Sequence, residues 1–281
     1  MDKAARQDLD QTLEERYRRL QEILRSYKKV MVAYSGGVDS TFLLKAALDG
    51  LGRERVLACI GSSESLAQSE QQQAVDTAQQ LGAETKFVYP REMDNPKYKS
   101  NPPQRCYYCK TELYKLLREL AQQQDYDAIL CGSNADDLSD FRPGLKAAKE
   151  WEVRSPLEEA RLSKNDIRTL SKQLGLATWD KPAQPCLASR LTYGLEITPE
   201  RLKQIEKGEE FLRGLGLRKL RVRHHDELVR IEVPAEKIAE LAHDNQREQI
   251  VAFFKKLGFT YVSLDLQGFR SGSGNEPLGG D

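Results

Sequence analysis

The chain has 281 residues with 43 basic and 43 acidic side chains, a balance that excludes a surface built throughout to hold nucleic acid. No apolar run approaches the length of a bilayer span, and Met1-Asp2-Lys3-Ala4-Ala5-Arg6 is too polar for a signal peptide, so no membrane partner is expected. Five cysteines, an odd number with no export signal, argue against a disulfide framework and for a reducing, cytoplasmic setting.

Leu13, Tyr17, Leu20 and Leu24 recur at helical spacing, so an amphipathic helix is predicted from Leu9 to Tyr27. Val30-Met31-Val32-Ala33 reads as a buried strand, and Thr41 to Leu48 as a helix with an apolar face. Between them runs Ser35-Gly36-Gly37-Val38-Asp39-Ser40. Adjacent glycines at a strand-to-helix turn let backbone N–H groups approach an anion, and the helix N-terminus adds unpaired donors and a positive dipole end. Ser35 and Ser40 supply hydroxyls, and Asp39 a carboxylate suited to holding Mg²⁺ against phosphate oxygens. No Lys follows the second glycine, so this is not the phosphate loop of the GxxxxGK[ST] NTPases. It resembles the PP-loop of the ATP pyrophosphatases, which split ATP into AMP and pyrophosphate.

Further strands are predicted at Arg55–Ile60, Thr85–Tyr89 and Asp127–Gly132, with helices at Leu66–Leu81 and about Cys106–Gln123 between them. A Pro- and Asn-rich loop spans Arg91 to Gln104. This alternation indicates an α/β fold, a mainly parallel sheet with helices on both faces and a ligand site at the carboxyl ends of its strands. Ser63 and Glu64 after the second strand and Gly132 after the fourth are therefore candidate nucleotide contacts. Helices are expected at Leu145–Trp151 and Ser163–Leu174, the second capped by Ser163. From Thr198 the pattern becomes that of a smaller α+β domain: a helix at Pro199–Gly214, strands at Lys219–His224, Leu228–Val233 and Tyr261–Leu264, and helices at about Pro234–His243 and Asn245–Leu257. The expected organisation is a nucleotide domain at 1–180, an ordered linker at 181–196 carrying Cys186, a substrate or oligomerisation domain at 197–268, and a Gly- and Ser-rich flexible tail at 269–281.

Cys106-Tyr107-Tyr108-Cys109 is a CxxC at a helix start, where the N-terminus favours thiolates. By itself it fits a redox pair, a zinc site or an iron–sulfur site. The three histidines, His224, His225 and His243, lie far along the chain, and Cys106, Cys109 and Cys186 without an evident fourth ligand would suit a [4Fe–4S] cluster with one open iron. Cys59 and Cys131 fall in predicted buried strands and read as small apolar residues.

Several motifs then occur together and in order: the PP-loop, Arg105-Cys106-Tyr107-Tyr108-Cys109-Lys110, Gly132-Ser133-Asn134-Ala135-Asp136-Asp137, Arg142-Pro143-Gly144, Ser155-Pro156-Leu157, Lys181-Pro182-Ala183, Pro185-Cys186-Leu187-Ala188-Ser189-Arg190 and Arg221-Val222-Arg223. The set resembles the LarE sulfur transferases over nearly the whole chain. These act in biosynthesis of the nickel-pincer nucleotide, the cofactor of lactate racemase. The resemblance implies that ATP adenylates a carboxylate of pyridinium-3,5-dicarboxylate mononucleotide and that a sulfur nucleophile displaces AMP. One form of the family sacrifices a cysteine, matching Cys186, which becomes dehydroalanine. The other carries a transferable sulfide on a [4Fe–4S] cluster held by three cysteines, and the presence of Cys106, Cys109 and Cys186 favours that form. The resemblance also implies that Arg221 and Arg223 grip the substrate phosphate, and that Glu209 matches an acidic position near sulfur transfer. Lys110, Lys181 and Arg190 are candidates to neutralise phosphate or carboxylate. A sulfide donor and a homo-oligomer are expected as partners. The rival readings are an iron–sulfur tRNA thiolase, for which the balanced charge gives little support, and a non-catalytic nucleotide- or metal-binding regulator, against which Asp39 and Asp136-Asp137 argue.

Overall fold

The structure, a computed structural model, describes residues 3–139 and 143–279; Arg142 of the Arg142-Pro143-Gly144 motif lies outside the described residues. In chain order the elements are α1 (Lys3–Arg25), β1 (Val30–Ala33), α2 (Val38–Leu51), β2 (Val56–Gly61), α3 (Gln68–Gln80), β3 (Glu84–Val88), α4 (Pro96–Lys99), α5 (Arg105–Gln123), β4 (Ala128–Leu130), α6 (Pro143–Glu150), α7 (Pro156–Glu159), α8 (Lys164–Gln173), α9 (Pro199–Gly214), β5 (Arg221–His225), β6 (Leu228–Glu232), α10 (Ile238–Leu241), α11 (Asp244–Lys256) and β7 (Tyr261–Leu264). They form two compact units.

The first unit comprises residues 1–63, 68–92 and 106–184. Its sheet is four-stranded and parallel in the order β3-β2-β1-β4, with Val30 opposite both Val56 and Ala128. Successive side chains of β1 serve opposite faces. Val30 and Val32 join a core with Leu20, Leu24, Phe42 and Leu43, while Met31 joins Leu57, Cys59, Leu117 and Ile129 on the other side. A strand covered on both faces must be apolar throughout, which is why β1 reads as an unbroken hydrophobic run. Parallel pairing brings the carboxyl ends of β1 and β4, and with them Ser35 and Gly132, to one edge of the sheet.

The second unit comprises residues 64–67, 93–105 and 185–281. Its sheet has the order β5-β6-β7, with β5 antiparallel and β7 parallel to β6. Val222, Val229, Leu202, Ile205 and Phe254 are buried in this unit. A Cβ on Gly208 would stand 2.7 Å from the Phe254 ring, so glycine there lets α9 and α11 approach.

Two segments differ from the sequence expectation. The loop Arg91–Gln104 contains α4, capped by the Asn95 side chain, and the buried Asn101, whose amide donates to Thr192 O at 2.9 Å. Backbone bonds from Gly194 to Asn101 and from Ile197 to Lys99 bind this loop to the 191–197 segment inside the second unit. The tail expected to be flexible from 269 instead carries a 3-10 helix at Ser273–Leu278, and Ser273 is only 2% exposed. Its hydroxyl is satisfied by buried Glu232 and Arg223, a partnership that a Gly- and Ser-rich composition does not reveal.

Candidate active site

The turn from β1 to α2 is closed by its own hydroxyls. Ser35 Oγ and Ser40 Oγ lie 3.1 Å apart, the Ser35 N–H donates to Ser40 Oγ at 3.3 Å, and Ser40 Oγ donates to Gly37 O at 3.3 Å. Gly36 has φ +70°, and a Cβ there would sit 2.7 Å from Ala74 Cβ of α3, so both conformation and space require glycine. Gly132 is needed for contact of another kind: its Cβ would meet the Ser40 amide at 2.9 Å. The two glycines bring α3 and the end of β4 against the loop, whose α2 N-terminus has no side-chain cap. Such an end is an anion-binding feature.

Lys164, which sequence reading did not single out, completes this corner. Its ammonium donates to both oxygens of Asp39, at 2.8 and 2.7 Å. Lys164 is the first residue of α8, after a capping box made by Ser163 and Asp166, and its own backbone N–H donates to Asp136 at 2.8 Å. The separation of 125 residues from Asp39 hides the pair from any local motif. Lys181 lies against the same loop: it pairs with Glu70 at 2.8 Å and donates to Gly36 O at 3.3 Å. Ser63 is half-buried beyond β2, and Glu64 is exposed at the start of a short segment of the second unit. Lys110 is half-buried, with its ammonium 5.7 Å from the centre of the Tyr114 ring.

Cys106 and Cys109 lie in the first two turns of α5, Cys106 exposed and Cys109 half-buried, on neighbouring helix positions three apart. Both belong to the first unit; Cys186, also half-buried, belongs to the second. Among the described residues no group of three or more His, Cys, Asp or Glu side chains stands ready to hold a metal ion. The donor chemistry nonetheless suits thiolate ligation, since none of the three is locked in a core. Cys59 is different: burial pushes its thiol up to about 12, which keeps it protonated and unreactive.

In the second unit, Cys186 opens the turn Leu187–Arg190, and Arg190 folds back to brace it. The Arg190 guanidinium donates to Cys186 O at 3.1 Å, to Ser189 Oγ at 3.0 Å and to Pro185 O. Its other edge meets Glu209 at 3.0 and 3.4 Å, with both side chains 2% exposed. Glu209 also receives Arg213 at 2.8 Å. Burial would raise the Glu209 carboxyl, but Arg190, Arg213 and Arg221 more than offset it and hold it below the usual carboxylate range. Arg190 is thus committed to the protein's own carbonyls and to Glu209. Arg223 is committed likewise, to Glu232 at 3.0 and 3.2 Å, to Ser189 O at 3.0 Å and to Ser273 Oγ at 2.7 Å. Arg221, in the same cluster, donates to Leu220 O at 2.8 Å and lies 5.2 Å from the Phe269 ring. It is pushed down to about 10, chiefly by burial and then by the charge of Arg190, so its neighbourhood favours an incoming anion.

Comparison with known proteins adds to this geometry. The NAD synthase family profile matches residues 12–97, which include the loop, α2 and α3. Pyridinium-3,5-bisthiocarboxylic acid mononucleotide synthase of Lactiplantibacillus plantarum is 40% identical, across 91% of this chain and 92% of its own. An uncharacterized protein of Synechocystis sp. is 45% identical, across 95% of this chain and 99% of its own. An uncharacterized protein of Methanocaldococcus jannaschii is 32% identical, across 87% and 92% respectively. No described helix is long and apolar enough to cross a membrane.

Proposed function

This chain belongs to the LarE family of ATP-dependent sulfur transferases, and on that premise we propose that it converts a carboxylate of pyridinium-3,5-dicarboxylate mononucleotide to a thiocarboxylate with sulfide drawn from a [4Fe–4S] cluster. The observation that carries the reading is the pairing, in one chain, of an uncapped glycine loop bearing Asp39 with a solvent-reachable cysteine on a braced turn. In the first step a substrate carboxylate oxygen attacks the α-phosphorus of ATP, and the bond to the bridging oxygen breaks to release pyrophosphate. The amides and hydroxyls of Ser35, Gly36, Gly37 and Ser40 hold the leaving phosphates. Asp39 would supply an oxygen ligand for Mg²⁺. Phosphate oxygens would compete for the Lys164 ammonium and so leave Asp39 available to the metal. Ser63, Glu64 and Gly132 follow the strand ends where the nucleoside would lie, and Lys181 holds the loop's shape through Gly36 O and Glu70.

In the second step sulfur attacks the acyl carbon and AMP leaves with the carbon–oxygen bond pair. Held by Cys106, Cys109 and Cys186, the cluster would supply that sulfide. Arg190 and Glu209 fix the Cys186 turn, Arg221 attracts the substrate phosphate, and Lys110 offers a further cation on α5. A replenishing sulfide donor and self-association into a homo-oligomer belong to the same proposal.

Anaerobic purification with iron and sulfide analysis tests it. The expected protein is brown, with the broad visible absorbance of thiolate-bound iron–sulfur, and releases pyrophosphate in response to the pyridinium nucleotide and not to tRNA. Colourless protein that makes thiocarboxylate while Cys186 becomes dehydroalanine would replace the cluster with the sacrificial route.

A further inference from the structure

We propose that the C-terminal segment Arg270–Leu278 is a strap that sets the position of the Cys186 turn, with Ser273 as its positioning residue for sulfur transfer. The inference rests on the reading of Cys186 as the residue where sulfur is handed over. A continuous path of short contacts within the second unit supports it. Ser273 Oγ accepts from Arg223 at 2.7 Å and faces both Glu232 oxygens at 2.9 and 3.1 Å. The far edge of the same guanidinium donates to Ser189 O at 3.0 Å. Ser189 in turn donates its backbone N–H to Cys186 O at 2.9 Å, and its hydroxyl accepts from Arg190 at 3.0 Å. Two residues, Arg223 and Ser189, therefore separate the strap from the cysteine.

An independent observation is the glycine that follows. A Cβ at position 274 would lie 2.8 Å from Arg223 Nη1 and 3.5 Å from Ser189 O, so the strap's backbone passes directly over the contact that holds the turn. The strap is closed on itself by Arg270, which pairs with Glu276 at 3.0 Å, and is held to the rest of the unit through Asn275 Oδ1, which accepts from the Tyr193 hydroxyl at 2.9 Å. Without Ser273, Arg223 keeps Glu232 and Ser189 O but loses the buried bond from Nη2 to the strap, on the edge opposite the turn. The guanidinium, still paired with Glu232 but no longer held by the strap, is then free to tilt off Ser189, and a misplacement of about 1 Å at a reacting group costs about 10²-fold.

The test compares Ser273→Ala and Ser273→Thr with the unaltered enzyme, following thiocarboxylate formation and pyrophosphate release in the same reaction. Ser273→Ala is expected to slow thiocarboxylate formation about tenfold or more, to leave the first burst of pyrophosphate at full amplitude, and to change the KM for the pyridinium nucleotide little. Ser273→Thr, which keeps the hydroxyl, restores transfer. Equal loss of both products, or wild-type transfer in Ser273→Ala, overturns the proposal. Should Ser273→Ala fold poorly, Asn275→Ala removes the strap's exposed contact with Tyr193; a smaller split in the same direction supports the proposal, and no split overturns it. Failure of the underlying reading looks different, because the unaltered enzyme would then yield no thiocarboxylate.

Discussion

Asp39 and Lys164 form an ion pair at 2.7 Å, and the proposed function gives each partner a separate task when ATP binds. Asp39→Asn keeps the shape and removes the charge, so pyrophosphate release is expected to fall about 10²–10³-fold, the range for loss of one group that stabilises charge in a transition state. Lys164→Met should raise the KM for ATP as well as slow release, since it strips a cation from the phosphates and leaves Asp39 unpaired. Unchanged steady-state constants in Asp39→Asn would remove it from the adenylation step. Glu209 belongs to a different class, because its work is to keep Arg190 paired out of water. Glu209→Ala leaves a buried guanidinium without its carboxylate and is expected to cost about 3–5 kcal/mol, measured by denaturant titration. The sign with pH follows from its lowered pKa. Its contribution is complete above the ordinary carboxyl value and disappears as pH falls through the lower folded value, so the wild type should lose more stability on acidification than Glu209→Gln.

At the scale of elements, β5 concentrates several of these groups by simple alternation. Arg221 and Arg223 are two residues apart on one side, and Val222 and His224 on the other are buried. His224 Nδ1 accepts from the Asp226 N–H at 3.1 Å, which leaves its Nε2–H to donate to Gln204 at 2.9 Å. Burial, with help from Arg201, pushes it down to about 4 from the usual 6.5. The unfolded chain therefore binds the proton first, and stability is full above about 6.5 and declines toward pH 4. Thermal midpoints across that window should fall for the wild type and fall less for His224→Gln; parallel curves would mean that His224 does not govern the acid limb. The alternating strand was legible in the sequence, as were β1, α2 and α9, because period and capping are local. The loop at Ser35 was legible for the same reason. Lys164 was not, since one lysine at a helix start looks like any other. Nor were the commitments of Arg190 and Arg223: a sequence shows an arginine's charge, whereas Glu209 and Glu232 decide whether that charge is available. Ser273 was hidden by composition, which cannot distinguish a serine that solvates a tail from one that fills a buried acceptor's last bond.

On the scale of the whole chain, the proposed chemistry divides along the same line as the fold. The loop, Asp39, Lys164 and the CxxC belong to one compact unit, and Cys186 with its arginines and glutamates to the other. A reaction in two steps with its groups so distributed should come apart under mutation. Cys186→Ala leaves the ATP corner intact, so the first turnover still forms acyl-adenylate and releases pyrophosphate. Without a nucleophile the adenylate then blocks the site, and release continues only as fast as water hydrolyses it. The expected trace is a burst stoichiometric with enzyme followed by a slow phase, with no thiocarboxylate formed. Asp39→Asn should show no fast burst and form product about 10²–10³-fold more slowly, yet keep the visible absorbance of the anaerobic protein, because its lesion lies outside the thiolate set. Cys106→Ala separates the two sulfur sources. On the cluster reading it loses the absorbance and behaves as Cys186→Ala does, since three thiolates are the full ligand set. If instead it is colourless and still makes one thiocarboxylate per chain, with Cys186 recovered as dehydroalanine, the sulfur comes from the polypeptide itself. Rapid-quench pyrophosphate assays and mass spectrometry of the spent protein, run on the three variants side by side, distinguish these outcomes without reference to the relative placement of the two units.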